Sequence, residues 1–306
     1  MNKPFDFNFV VVIRAAGERT MDICRQIVLN ELNENDVHVI VCTPFEEALR
    51  ESYRIGMKSD KKWMITIDAD VLPRPGFISE IESLTKNVHE KVFTFKVMIF
   101  DKLFLTHRGG GVRVYRNEHL NTAFDYISAN GETIRPESHT IRKMEQKGYK
   151  TKVFEYVVGL HDYEQYYRDI YRKAFFHATK HPSHIAESIA LWKQQSMQDV
   201  DYKVALKGAI DGLLSEDQPK PDIRFFETIS EKAIRELNLI EKSQPDTENV
   251  LEFIERTLTD AGDFHKEYSL GGIRANLKKR GILKGSLLTF AYLLETTGSK
   301  FRTIAD

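Results

Sequence analysis

Short apolar runs alternate with amphipathic stretches over the first seventy residues. Residues 9–13 are five consecutive apolar positions, the pattern of a strand buried on both faces. A polar loop containing Gly17 follows, and then Met21, Cys24, Ile27, Val28 and Leu32 recur at helical spacing. Residues 37–42 read as a second strand, stopped at Thr43-Pro44. Phe45, Leu49, Tyr53 and Met57 recur every four residues and predict a second helix. A third strand over 63–67 closes at Asp68-Ala69-Asp70 and a turn with Pro73 and Pro75. Strand, helix, strand, helix, strand is the order of a doubly wound α/β sheet, where ligands sit beyond the carboxyl ends of the strands. Further on, residues 91–100 and 111–115 read as strands, 137–148 as a helix ending at Gly148, and 152–158 as a strand. From Tyr163 the pattern is helical, broken by Pro182, Pro219 and Pro221. The expected organisation is a mixed α/β domain over 1–185 and a helical C-terminal extension over 186–306, without internal repeats.

Composition narrows the class. The 306 residues are 42% hydrophobic and 29% charged, enough to build a sizeable core. Forty-four basic residues against 45 acidic give a net charge of −1, which argues against a nucleic-acid partner. Two cysteines, Cys24 and Cys42, make neither a disulfide framework nor a zinc ribbon, and fit a reducing compartment. Asp6 stands where a signal peptide would be apolar, and no run of 18 apolar residues occurs, so a cytoplasmic location is expected. Residues 271–306 carry a net +5: Leu277-Lys278-Lys279-Arg280 and Lys284 lead into an apolar run over 287–294. Such a segment docks on protein, its own domain or a second copy, or lies on an anionic membrane at its inner face.

Asp68-Ala69-Asp70 is the sharpest candidate for chemistry. Alternation along an extended segment sends both carboxylates to one side. Paired acids at a strand end suit a hard divalent cation that bridges to phosphates. Read alone, they are equally two acids in a solvated turn. His161 alone reads as a buried histidine bonded to a carbonyl. His177 and His181 lie one helical turn apart among Tyr163, Tyr166, Tyr167, Tyr171, Phe175 and Phe176, a spacing that reads as packing rather than metal binding.

The stretch from Ser52 through Arg54, Gly56 and Trp63 to Asp68-Ala69-Asp70 and Pro73 resembles the donor half of GT-A glycosyltransferases of the family 2 type. A second block strengthens the resemblance: Pro136-Glu137-Ser138-His139 opening a helix, Gly148, a strand, and His161. It covers roughly residues 8–180 and implies a GT-A, Rossmann-like mixed sheet. By it, Asp70 binds Mn²⁺ or Mg²⁺, Asp68 contacts the metal or the donor ribose, and His161 completes the metal site. Glu137 is implied as the catalytic base. Arg14, Ala15, Gly17, Glu18 and Arg19 occupy the nucleotide loop, with Arg54 and Ala69 also at the donor, and Gly110 and Gly111 line it. Arg54 and Ser138 depart from the family pattern, standing where an Asn and a second acid are usual. The implied partners are a nucleotide-sugar donor and a glycan or lipid-linked glycan acceptor, as in surface polysaccharide assembly, with inversion at the sugar. The alternatives are a sugar nucleotidyltransferase, whose glycine-rich basic loop residues 14–19 match poorly, and a non-catalytic glycan-binding module on the same fold.

Overall fold

The computed structural model describes residues 7–133, 135–180, 185–215, 223–246 and 248–267. The basic C-terminal segment 271–306 lies outside the described residues, as do His181 and His184. Two compact units emerge, one of residues 1–102, 107–165 and 244–261, the other of 103–106 and 166–243 together with the remaining C-terminal residues.

The first unit is a mixed α/β layer structure, the α/β class anticipated above. Its elements run β1 (Phe9–Ala15), α1 (Met21–Leu29), β2 (Val37–Val41), α2 (Phe45–Lys58), β3 (Trp63–Asp68), β4 (Val71–Pro73), α3 (Phe77–Thr85), β5 (Val92–Asp101), β6 (Thr106–Arg116), α4 (Leu120–Phe124), α5 (Pro136–Gln146) and β7 (Lys150–His161). The sheet order is β2-β1-β3-β6-β5-β7-β4. β1 pairs in parallel with β2 and with β3, while β6 runs antiparallel to β3. β7 is parallel to β5 and antiparallel to β4. The purely parallel reading of the first three strands therefore holds only at that side of the sheet.

Every residue of β1 is buried, as its unbroken apolar run requires. The helix α2 turns differently from the every-fourth-residue stripe read from the sequence. At 3.6 residues per turn each four-residue step drifts by roughly 40°, so the ends of a twelve-residue stripe diverge. Leu49 and Tyr53 are fully buried, whereas Phe45 and Met57 at the two ends are 39% and 36% exposed. Three elements were not anticipated: β4, α3 and α4. β4 is three residues long and ends on Pro73, a residue with no amide hydrogen to donate, which an edge strand tolerates.

The second unit contains α6 (Tyr167–Lys180), α7 (Ile185–Gln195), α8 (Val200–Leu214) and α9 (Ile223–Glu236). A last helix, α10 (Val250–Glu267), follows, and its first turns belong to the α/β unit. α6 and α8 lie against each other closely: a Cβ on Gly208 would stand 2.4 Å from the Tyr171 carbonyl oxygen, and one on Gly212 2.6 Å from that of Phe175. The aromatic and histidine stretch on α6 is core, with Tyr171 and Phe175 buried. His177 Nε2 lies 3.0 Å from Ser188 Oγ, and its ring packs against Phe104. Trp192 is fully buried and donates to the Leu103 carbonyl at 2.6 Å. Among the described residues no helix is long and apolar enough to cross a membrane.

Candidate active site

Two clusters of charge form at the carboxyl ends of the strands. The first is built on the register of β1 against β3, which sets Arg14 beside Asp68. Arg14 is 5% exposed and donates through Nε to Asp68 Oδ1 at 2.8 Å. Its Nη1 donates to Glu137 Oε1, also at 2.8 Å. Glu137 sits in the first turn of α5, where the free amides favour a carboxylate. It accepts two further bonds, from Arg113 Nε at 3.1 Å and the Tyr115 hydroxyl at 2.8 Å, both from β6. Burial alone would raise the Glu137 carboxyl, but Arg14 and Arg113 outweigh it and hold the group down to about 2. Asp68 moves the other way: burial and the nearby Asp70 and Glu137 push it up against the pull of Arg14.

The second cluster is built where β5 and β7 end and β4 begins. Val71 pairs with His161, and the Asp162 amide donates to the Asp70 carbonyl at 3.2 Å, so Asp70, His161 and Asp162 converge. Each offers one ligand atom, and these atoms lie within 4.8 Å of one another. His161 Nε2 faces Asp70 Oδ1 at 3.5 Å, and its Nδ1 faces Asp162 Oδ2 at 3.0 Å and Asp101 Oδ2 at 3.1 Å. Asp101 closes β5, is fully buried, and accepts from Arg108 Nε at 2.5 Å. Burial opposes its charge, yet Arg108 and His161 hold its carboxyl well below the usual range. The carboxylates of Asp70, Asp101 and Asp162 thus crowd one imidazole, with the Arg108 guanidinium beside them. Gly111 lets β6 approach: its φ is +71°, and a Cβ there would stand 2.7 Å from Val71 Cγ2 and 3.3 Å from His161 Cδ2.

The Asp68–Asp70 pair diverges instead of sharing one ligand. Asp68 closes β3 and is drawn to Arg14, while Asp70 belongs to the turn into β4 and faces His161. Asp68 is not in the group of converging cation donors; Asp162, which the sequence reading passed over, is. The ring nitrogens of His161 face carboxylates. Ala69 links the clusters through backbone: its amide donates to the Arg14 carbonyl at 2.9 Å, and its own carbonyl accepts from Thr20 Oγ1 at 2.7 Å.

The nucleotide-loop candidates are largely occupied with holding the loop itself. Gly17 has a φ of +98°. Glu18 accepts from the Ala16 amide at 2.6 Å beside Ala15, the last residue of β1. Arg19, 9% exposed, donates to Glu164 Oε2 at 2.7 Å and to the Glu164 carbonyl at 3.0 Å, tying this loop to the one that follows Asp162. Gly110 stands beside Arg108, whose Nη1 would be 2.7 Å from an added Cβ. Arg54 lies near the end of α2, bonded to Glu51 at 3.1 Å and stacked on Phe124. Arg113, Tyr115, Asp101 and Asp162 were missed, although Asp101 and Asp162 had a readable signal, an acid at the end of an apolar strand.

No protein-family model matches the sequence, and no curated protein matches it. Among solved structures, the chain is similar to the mannosyltransferase PcManGT from Pyrobaculum calidifontis, determined with GDP-Man and Mn²⁺. That match has 12% identity and a TM-score of 0.39, and covers 94% of this chain and 90% of that one. A glycosyltransferase involved in the glycosylation of the major capsid of PBCV-1 matches with 12% identity and a TM-score of 0.36, over 48% of this chain and 81% of that one. A cytidylyltransferase from Leptospira borgpetersenii serovar Hardjo-bovis matches with 8% identity and a TM-score of 0.33, over 49% and 76%. Likenesses of this size assign no role to any residue; the geometry above has to do that.

Proposed function

We propose that this chain is a glycosyltransferase that uses a divalent cation, moving a sugar from a nucleotide-sugar donor to a glycan or glycolipid acceptor. The observation that carries the reading is the convergence of Asp70, His161 and Asp162 at the carboxyl edge of the sheet, beside the paired arginines. Two carboxylates and an imidazole whose ligand atoms lie within 4.8 Å of one another fit a divalent cation. The nitrogen donor favours Mn²⁺ over Mg²⁺, which keeps to oxygen. Bound there, such an ion stabilises the charge that develops on a departing diphosphate.

The chain's own residues supply the rest. Arg14 and Arg113 present guanidinium groups that match phosphate oxygens, and Glu137 holds both in place until the donor arrives. As it stands, Glu137 is their counter-ion and a weak base. When one arginine re-pairs with the donor phosphates, Glu137 loses a bond and its carboxylate is freed to accept the acceptor's hydroxyl proton. The acceptor oxygen then bonds to sugar C1 as the bond from C1 to the diphosphate breaks, with inversion. A lipid-linked acceptor in surface polysaccharide assembly is the setting this reading favours.

The test is a turnover panel of UDP-, GDP-, CMP- and dTDP-sugars with Mn²⁺, Mg²⁺ or EDTA, analysing the released nucleotide. One donor should release its nucleoside phosphate only with metal, and Asp70→Asn should reduce that release by more than the ~10–100-fold that loss of an outer-shell partner costs. Undiminished turnover by Asp70→Asn would sink the site. Pyrophosphate consumed or released in place of glycosyl transfer would mark a nucleotidyltransferase instead.

A further inference from the structure

The buried Asp101 carboxylate has no part in the chemistry above, yet it is the most enclosed charge of the cation cluster. It lies at the end of β5 with no exposed surface, and the β5–β7 register sets it opposite His161. Its Oδ2 is shared between Arg108 Nε at 2.5 Å and His161 Nδ1 at 3.1 Å. Around the imidazole, Nδ1 faces carboxylate oxygens of Asp101 and Asp162, and Nε2 faces Asp70 at 3.5 Å. Arg108 Nη2 stands 3.1 Å from Nδ1 and 3.4 Å from Nε2. With the ring hydrogen on Nδ1, Asp101 accepts it and Nε2 is the nitrogen left to face the Asp70 side. Gly111 closes the other side, since its missing Cβ lets the ring sit against the β6 backbone.

We propose that Asp101 is a positioning residue: it fixes the ring orientation of His161 so that Nε2 points at the cation site, and Arg108 keeps Asp101 charged and aimed. A histidine that binds metal gains both orientation and basicity from a carboxylate on its other nitrogen. The proposal rests on the cation reading of Asp70, His161 and Asp162, and adds a residue that touches neither ion nor substrate. The arrangement also makes the strand end itself part of the site. Asp101 is held by its backbone in β5, so the ring is aimed by the sheet and not by a loop.

The experiment measures Mn²⁺ affinity by electron paramagnetic resonance, with Mn²⁺ alone and with each of UDP, GDP, CDP and dTDP. It compares the wild type, Asp101→Asn, and the charge-neutral double variant Asp101→Asn/Arg108→Gln, with a melting temperature for each. Asp101→Asn should weaken Mn²⁺ binding about 10–100-fold. It should also lower the melting temperature, because Arg108 is left without its buried counter-ion. The double variant should regain the melting temperature and remain weak for Mn²⁺. Recovery of Mn²⁺ affinity in the double variant would show that Asp101 only neutralises Arg108 and would overturn the positioning role. Wild-type affinity in both variants would overturn it equally while leaving the cation site standing. If the wild type binds no Mn²⁺ under any of the five conditions, the cation reading falls and this inference with it.

Discussion

The two charge clusters lie side by side at the same sheet edge and are built on opposite principles. Around Glu137, two arginines meet two carboxylates, the charges cancel, and each oxygen of Glu137 already accepts a hydrogen bond. Around His161, three carboxylates crowd one imidazole beside the Arg108 guanidinium. The first cluster is internally paired and ties β1, β3, β6 and α5 together, so on the proposed reading a donor must draw an arginine away before Glu137 can act. The second gathers carboxylates around one imidazole, the arrangement on which the proposed cation site rests.

That contrast breaks most visibly at Glu137. Glu137→Ala removes the acceptor of Arg113 and leaves Arg14 with Asp68 alone, and urea unfolding should show a loss of about 3–5 kcal/mol. Asp70→Asn in EDTA should show no such loss, since it relieves repulsion within its cluster. Acid titration sharpens the point, because the folded carboxyl lies near 2 and the ordinary value is 4.5. A depressed carboxyl contributes stability that is fully present above pH 4.5 and disappears as pH falls towards 2. Wild-type stability should therefore decline across that window, and Glu137→Gln should flatten the decline.

A smaller effect is expected where β6 approaches the second cluster. Gly111→Ala introduces a Cβ within 2.7 Å of Val71 and 3.3 Å of His161, at a positive φ. The cost should be about 1–3 kcal/mol, from strain and overpacking. Because the His161 ring must shift, Mn²⁺ affinity should fall with it. Calorimetric titration beside thermal melting separates the two losses, and an unchanged affinity would mean that the ring has room the packing does not indicate. The smallest effect belongs to Arg54. Exposed, paired only with Glu51 and stacked on Phe124, it should tolerate Arg54→Ala within ±0.5 kcal/mol and with unaltered donor KM. A large rise in KM would return Arg54 to the donor site.

Most of the α/β unit could be read before any coordinates because its strands are unmistakable apolar runs. Residues 9–13, 37–42 and 63–67 each gave a strand, and Asp68-Ala69-Asp70 marked the edge where chemistry would gather. β4 escaped notice because three residues ending in Pro73 carry no period. Phe45 and Met57 were misplaced because a four-residue stripe ignores the drift of the helix. Glu137 and His161 were reached through their neighbours in sequence, but not the bonds that define what each can do.

Local periodicity and composition suffice for the class of fold, the strands and the residue types available at their ends. How those residues share the work depends on contacts between distant parts of the chain. Asp68 and Asp70 are two positions apart, yet one answers to Arg14 across β1 and the other to His161 across β4 and β7. Asp101 and Asp162 stand 61 positions apart along the chain and face the same nitrogen. Charge balance is a property of what lies within a few ångströms, and strand order, which no local pattern encodes, sets those neighbours.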